Sequence, residues 1–537
     1  ETTNHTTSSI TVSSRRFSLD DDDDSKYHHP KPPPTPSSST TTTLIATTTV
    51  CEMTSSSSSC STGLSNQSIL DGFCSLGLPV DINKPRSIRT FGDTINELLV
   101  LERQTSSIVY LFDSDGDGIP DMKQTLVSAP SLNHGLAVHD GYVYASSDST
   151  VYRWSYNEET KFCNPAQDIG PEEIVVVNIN ENGRGGAPLG HRTRTLEFDT
   201  DGRIYISVGS DGNVDPDSYR SRIRRGSLVG SGSGNSNLPL DFQMMEVFAD
   251  GLRNEVGLAF DKQGVLWGVE NSADNLERED LGGRITNNNP AEELNRFREQ
   301  DAGKHYGYPY CWTEYGLPQP PGLGIGTVWA WPSFLYGLEI TDQQCRENYE
   351  PPMLSIQAHS APLGIVFYDY EPSQDLPVDC RGIQPFPEDM DGFAFIAYHG
   401  SWNRDTPTGY KVVYVPMADG VPMEPIDLLA HEPPNAKWED GFRPVDVDFD
   451  VCGRLYVTSD GTQGRGSKIV RIEYAVIPES SSSEFLTDQP STSPAEVPSS
   501  QRTSFHPSCS PSEIPSSTPS ATGSSTTTQR RNKNIYS

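Results

Sequence analysis

Leu196-Glu-Phe-Asp-Thr-Asp-Gly-Arg-Ile-Tyr-Ile-Ser-Val-Gly209 alternates apolar and polar residues on both sides of a Thr-Asp-Gly turn. A period of two marks half-buried strands, and Asp-Gly supplies the positive φ that a tight hairpin turn needs. The stretch therefore reads as a hairpin, and its pattern recurs. The other copies are Ile95-Asn-Glu-Leu-Leu-Val-Leu-Glu-Arg103, Gly135-Leu-Ala-Val-His-Asp-Gly-Tyr-Val-Tyr-Ala145 and Gly257-Leu-Ala-Phe-Asp-Lys-Gln-Gly-Val-Leu-Trp-Gly-Val-Glu270. Gly364-Ile-Val-Phe-Tyr368 with Phe393-Ala-Phe-Ile-Ala-Tyr398, and Val445-Asp-Val-Asp-Phe-Asp-Val-Cys-Gly-Arg-Leu-Tyr-Val-Thr458, complete the set. The first copy is degenerate and lacks the Gly turn. After most copies a further strand fits, as in Ser106–Phe112, Thr150–Trp154 and Lys468–Ile472. Copies spaced by about 40–100 residues, each with room for four strands, predict an all-β fold of propeller blades with long insertions. The count gives a six-bladed β-propeller, with five or seven blades left open. Helical periodicity is nearly absent.

The flanks differ in kind. Residues 1–70 are Ser/Thr/Pro-rich, with an acidic run at Asp20–Asp24 and a Thr run at Thr40–Thr43. Residues 478–537 repeat Ser-Pro and Thr-Pro. Such segments bury too little apolar surface to offset their ordering entropy, so both are expected to be disordered, either as plain linkers or as O-glycosylated stalks. The propeller is assigned to residues 71–477. The chain opens at Glu1 without an apolar signal core and reads as a processed or truncated product. No run of about 18 apolar residues exists, so no transmembrane helix is expected, and the polar end carries no lipid-anchor signal.

Over 537 residues the formal charge is −33, from 40 Lys and Arg against 73 Asp and Glu. That excess disfavours nucleic acid and anionic lipid as partners, which need clustered cations; Arg224-Arg225 is too short to serve. The nine cysteines, Cys51, Cys60, Cys74, Cys163, Cys311, Cys345, Cys380, Cys452 and Cys509, form no CxxC pair, which argues against zinc or a redox dithiol. With glycosylation acceptors at Asn4-His-Thr and Asn66-Gln-Ser, they favour an oxidising, secreted setting with disulfides, on a cell wall or matrix if the stalks tether it. Cys311–Cys345 is the best single pair. An odd count leaves at least one thiol unpaired within the chain.

In a propeller the starts of the first strands and the ends of the second strands meet at one rim. Six starts carry Arg86, Asn133-His134, His191-Arg192, Arg253-Asn254, His359 and Arg443; the outgoing ends add Glu270-Asn-Ser-Ala-Asp274 and His399-Gly-Ser-Trp402-Asn403. An Arg or a His recurs in the same phase. On an acidic chain, a ring of such groups predicts an anionic ligand. The competing reading has each Arg satisfying strand-end carbonyls and each His lying in a surface loop.

Arg253-Asn254 with Gly257, Asn271-Ser-Ala-Asp-Asn-Leu-Glu-Arg-Glu-Asp280, Asn289-Pro-Ala-Glu-Glu-Leu-Asn295, Tyr306-Gly-Tyr-Pro309, His359-Ser-Ala-Pro-Leu-Gly364 and His399-Gly-Ser-Trp-Asn-Arg404 together resemble the pyrroloquinoline quinone (PQQ)-dependent sugar dehydrogenases. The nearest branch is the sorbosone dehydrogenase and fungal pyranose dehydrogenase group, over about residues 80–475. The resemblance implies a six-bladed propeller with PQQ and calcium on the channel rim, and oxidation of a sugar C–OH. It implies His191 as general base and Arg253 beside the quinone C5 oxygen, stabilising developing charge. Arg86, Asn133, Asn254, His359, His399 and Arg443 would hold the cofactor, and Trp402 would stack on its ring or on sugar. The active-site calcium would sit on the backbone carbonyls of Ser272 and Ala273, with Asn271 nearby. Soluble glucose dehydrogenases have Gly-Pro where this chain has Ser-Ala, and their cofactor-binding Lys is replaced in the His399 segment. Electrons would leave to an external acceptor, a cytochrome or a diffusible quinone.

Asp113-Ser-Asp115-Gly-Asp117-Gly-Ile-Pro-Asp121 places oxygen ligands at spacing two and is a second calcium candidate, although it lacks the Glu that closes an EF-hand loop. The alternative is an Asp-rich turn without metal. The Asp20–Asp24 run reads as a solvated stretch and His28-His29 as inert. No GxGxxG follows a strand and no GxSxG elbow exists, so nicotinamide and serine-hydrolase chemistry lack support. Two other functions fit a propeller: a non-catalytic extracellular binding module, against which His191, Arg253 and Asn254 all stand, and a calcium-dependent lactonase, which would want carboxylates rather than Arg and His at the rim.

Overall fold

A computed structural model describes residues 63–475, apart from 92–93, 158–161, 163–164, 188, 218, 229–237, 332–339, 373–375, 378–379 and 463. The expected disorder of residues 1–62 and 478–537, the sequon at Asn4, the Asp20–Asp24 run and His28-His29 lie outside the described residues. α-Helix among the described residues is confined to Pro165–Asp168 and Asp342–Asn348, and no helix among them is long and apolar enough to cross a membrane.

Among the described residues the strands form six radial sheets, each descending from one repeat of the hairpin phrase, and three small two-stranded sheets beside them. Blade 1 runs through Pro85–Thr90, Glu97–Glu102, Ser107–Phe112 and Met122–Ser128. The later blades open on Leu136–His139, Leu196–Phe198, Glu255–Phe260, Pro362–Phe367 and Pro444–Phe449. Each opening strand pairs antiparallel with the next, as in Leu196↔Ile206 and Phe198↔Ile204. The degenerate first copy now has a cause: Ile95–Arg103 holds only the second strand of blade 1, and its partner is Pro85–Thr90.

The ring closes through the start of the described chain. Phe73–Gly77 pairs with Arg465–Tyr474 as the outer strand of blade 6, in the register Phe73↔Tyr474 to Gly77↔Val470. Gln67–Ile69 adds an outer strand to blade 5, against Leu429–His431. Here the structure differs from the expected boundary at residue 70. A three-residue strand at a sheet edge draws its order from an existing row of N–H and C=O groups and needs little apolar burial of its own.

No single central core exists. Six apolar clusters fill the six blade interfaces, for example Leu99, Tyr110, Val143 and Trp154 between blades 1 and 2, and Phe395, Val412, Val447 and Val470 between blades 5 and 6. Each fully buried large apolar side chain contributes about 1.5–3 kcal/mol, so every interface is an independent source of stability. Disulfides add two clamps, Cys311–Cys345 in the blade 4 insertion, as expected, and Cys380–Cys452 between blades 5 and 6. Cys74 is also disulfide-bonded.

The repeated Gly of the phrase has a packing reason. A Cβ on Gly257 would lie 2.6 Å from the Leu363 carbonyl oxygen, and one on Gly364 would lie 2.7 Å from that of Val445 and 2.6 Å from the Asp446 Cα; Gly135 meets the Arg194 carbonyl in the same way. In blades 2, 4 and 5 the inner strand thus presses bare backbone against the start of the next blade. That contact also sets how closely neighbouring rim loops approach. Replacing Gly364 with Ala puts a methyl against backbone that cannot swing aside. We expect Gly364→Ala to lose about 1–3 kcal/mol, seen as a lowered Tm in calorimetry; an unchanged Tm would mean that the interface has slack.

Candidate active site

An antiparallel hairpin returns the end of its second strand to the edge where its first strand began. Arg86, Asn133, His191, Arg253, His359 and Arg443 stand at or just before the opening strands, while Ser210, Asn271–Asp274, His399 and Asp460 stand at or after the ends of the second. In blades 1, 4, 5 and 6 the first pair carries a register shift at this edge, at Pro85/Ile88, Glu255/Gly257, Pro362/Gly364 and Pro444/Val447. Such bulges re-aim side chains beside functional sites.

Hydrogen bonds then run around the whole mouth. Arg86 donates from Nη1 to Asp460 Oδ2 at 2.7 Å and from Nε to His134 Nδ1 at 3.3 Å. Asn133 Nδ2 donates to the Arg192 carbonyl at 3.0 Å. His191 Nδ1 lies 2.9 Å from Ser210 Oγ and 3.1 Å from the Ser210 carbonyl, and Ser210 N–H donates to the Arg253 carbonyl at 2.8 Å. Arg253 pairs with Asp274 at 3.3 Å, and Asp274 Oδ1 lies 3.5 Å from His359 Nδ1. His399 Nε2 meets Asp460 Oδ1 at 2.8 Å, and Arg443 donates to the carbonyls of His399 and Gly400 at 3.2 and 2.9 Å. Residues from all six blades therefore share one rim, and His191 and Arg253 are neighbours on it. At Gly209 a Cβ would fall 2.5 Å from Asn254 Oδ1 and 2.7 Å from the His191 Cβ. Glycine there lets the two loops close on each other.

The partners fix the His191 tautomer. Ser210 Oγ donates to the Gly212 carbonyl at 2.6 Å, so it accepts from His191; the Ser210 carbonyl accepts only. Both demand hydrogen on Nδ1, which leaves the lone pair on Nε2. Burial lowers the His191 pKa to about 3, with the Arg253 charge adding to the shift. Burial and then Arg443 lower His399 to about 4, and burial lowers His359 and, together with Arg86, His134. Although burial pushes the Asp460 carboxyl up, His399 and Arg86 hold it well below the usual carboxylate range. The ring is therefore less cationic than an Arg-or-His count suggests. Neutral imidazoles share the ring with arginines, and guanidinium groups carry its charge.

The rim fits an anionic polar ligand. Arg86 and Arg253 have carboxylate partners, but Arg443 has only carbonyls among the described residues. Asn133 Oδ1 and Ser360 Oγ are buried with no hydrogen-bond partner among the described residues. For a hard cation, the carbonyls of Ser272 and Ala273 accept no hydrogen bond from a described residue. Asn271 is already engaged, its carbonyl by Arg253 Nη1 at 3.0 Å and its amide by the Pro362 carbonyl at 2.7 Å. Glu292 backs the same loop, accepting from Ser272 N–H at 2.6 Å, and burial raises its pKa to about 8. Trp402 is 70% exposed.

Three contributors were not singled out from the sequence, Asp460, Ser210 and Asn213, while Asp274 and Glu292 were quoted only within longer stretches and given no role. A signal was available for two of the three. Ser-Asp-Gly closes the second strand of blades 3 and 6, at Ser210-Asp211-Gly212 and Ser459-Asp460-Gly461. The Asp113 loop joins the third and fourth strands of blade 1, outside the rim. Its Asp113, Asp115 and Asp117 carboxylates lie within 4.8 Å of one another, whereas Asp121 turns to the N–H and hydroxyl of Ser114 at 2.9 and 3.0 Å.

A family model described as TrAA12-like matches residues 67–467. A Hypocrea jecorina protein named pyrroloquinoline quinone-dependent sugar dehydrogenase is 30% identical over 419 residues, 73% of this chain and 86% of that one. A Coprinopsis cinerea protein named pyrroloquinoline quinone-dependent pyranose dehydrogenase is 28% identical over 450 residues, 76% of this chain; the match spans only 55% of that longer relative. The calcium structure of the Trichoderma reesei carbohydrate-active enzyme of family AA12 superposes with a TM-score of 0.62 at 29% identity, covering 76% of this chain and 97% of the other. With a match that spans all six blades and the whole rim, the chain belongs to the TrAA12-like family.

Proposed function

We propose that this protein is a PQQ- and calcium-dependent dehydrogenase that oxidises a C–OH of a sugar, with His191 as general base. The observation that carries the reading is the His191 imidazole. It is held by Nδ1, carries its lone pair on Nε2, and stands beside Arg253 on a rim built for an anion. The names of the two relatives support PQQ and sugar, and the Trichoderma calcium structure supports the metal.

Arg443, Arg86, Asn133, Asn254, His359 and His399 would hold PQQ, and the carbonyls of Ser272 and Ala273 would hold calcium. Bound PQQ supplies a two-electron oxidant, and calcium a Lewis acid beside it. His191 takes the hydroxyl proton of the sugar at Nε2. Ser210 keeps Nδ1–H engaged, so the ring neither flips nor presents the wrong nitrogen. Arg253, fixed by Asn213, Asn271 and Asp274, aims a guanidinium at oxygen that gains negative charge. Exposed Trp402 offers a face for a pyranose ring. The disulfides and the exposed Asn66 sequon support a secreted glycoprotein, with a cytochrome or diffusible quinone as the acceptor of its electrons.

The direct test adds PQQ and calcium to the apo-protein, records binding by absorbance, and then measures dye reduction with pyranoses. Binding and turnover are expected, and His191→Ala should lose roughly 100-fold or more of kcat with the cofactor still bound. Unchanged dye reduction in that variant would remove the base assignment, and no cofactor uptake by the wild type would favour a non-catalytic binding module.

The apo-protein offers a second check. A depressed pKa means that the folded state resists protonation, so His191 should stay neutral as pH falls through 6.5 and gain its proton only near 3. Arg253→Gln removes a repelling charge and should move that titration upward. Histidine NMR reads both. An ordinary titration near 6.5 in the wild type would contradict the buried, arginine-flanked geometry.

A further inference from the structure

The loop that offers the open carbonyls of Ser272 and Ala273 ends at Asp274, a residue with more partners across the rim than the chemistry assigned above requires. Asp274 Oδ2 pairs with Arg253 Nη2 at 3.3 Å. Oδ1 accepts from Asn403 Nδ2 at 2.7 Å and faces His359 Nδ1 at 3.5 Å. The main chain is clamped as well. Asn213 accepts the Asp274 N–H at Oδ1 and donates Nδ2 to the Asp274 carbonyl, each at 2.6 Å. The same Asn213 takes Arg253 Nη2 at Oδ1 and Arg253 Nε at its carbonyl, at 3.2 and 3.3 Å.

We propose that Asp274 is a positioning residue for the sugar oxidation: one carboxylate, braced by Asn213, sets Arg253 and His359 in a fixed relation to the carbonyl loop. The inference rests on the reading of the rim as a PQQ site. Three features favour positioning over a purely structural role. Its side-chain partners come from three loops, before blade 4, before blade 5 and after the second strand of blade 5, and none of these contacts belongs to a strand ladder. Asp274 is the carboxylate that neutralises Arg253 among the described residues. And it faces a constrained imidazole: His359 Nε2 is 2.6 Å from the Thr286 carbonyl, an acceptor, so Nε2 carries hydrogen and Nδ1 faces the carboxylate. Asp274 therefore favours a second proton on His359, against the burial and the arginines that oppose it. The contact of the carboxylate with Arg253 is charge-assisted and directional, and a displacement of about 1 Å at a reacting centre costs up to roughly 100-fold in rate.

The test uses the full chain. In Asp274→Asn loaded with PQQ and calcium, kcat is expected to fall about 10- to 100-fold, while the sugar KM and the PQQ affinity change less than about 3-fold. Asp274→Glu, which keeps the charge, should recover part of the loss. In the apo-protein, NMR of His359 should show its titration moving to lower pH in Asp274→Asn, a readout independent of turnover. A kcat within about 2-fold of wild type, a rate loss that only tracks lost PQQ occupancy, or an unmoved His359 titration would each overturn the proposal. If Asp274→Asn does not fold, Asp274→Glu carries the test, with wild-type kcat as the overturning result. A wild type that takes up no PQQ would instead overturn the parent reading.

Discussion

Closure of the ring is the constraint on which everything else depends. Blades 1 and 6 can share an interface only if the first and last parts of the fold meet, and the backbone ladder Phe73–Gly77 against Arg465–Tyr474 makes them do so. The same closure brings Arg86 to Asp460, 374 residues away in sequence, at 2.7 Å. An open arc of six blades would keep five apolar interfaces and lose this pair. It would also lose the continuity of polar contacts around the mouth. The rim is thus a consequence of closure as much as of the residues placed on it.

Charge is distributed on that rim by burial. Near neutral pH, taking an imidazole out of water favours its neutral form more strongly than nearby carboxylates can oppose. His191 and His399 are held neutral in this way, while a guanidinium keeps its charge as a matter of side-chain chemistry. The division suits an oxidation that needs a base and an anion clamp side by side. A lysine in place of Arg443 would present one compact charge, whereas the guanidinium spans two carbonyls and still faces Tyr410.

Much of this was legible. The Asp-Gly hairpin at residues 196–209 and its repeats gave the blade count, because a strand reports its own burial through period two. His191 and Arg253 stood out by type and phase, and Cys311–Cys345 by its short loop. Other features were out of reach. The boundary near residue 70 was set too late because Gln67–Ile69 draws its order from the edge of blade 5 and not from its own composition. Asp460 looked like an ordinary acidic loop residue on a chain of net charge −33, and Asp274 was placed at the rim without a role. Their roles come from partners on other blades.

From its amino acids alone this protein was determined to be a repeating all-β ring with basic and imidazole groups in a common phase, since alternation and turn chemistry act over a few residues. Only the tertiary structure decided which nitrogen of His191 keeps its lone pair, which of the rim arginines Arg86, Arg253 and Arg443 meets only carbonyls among the described residues, and which carboxylates tie the loops together. Those outcomes depend on distances of about 3 Å between segments that are remote along the chain, and such distances are set by how the blades pack and close, for which no local pattern codes.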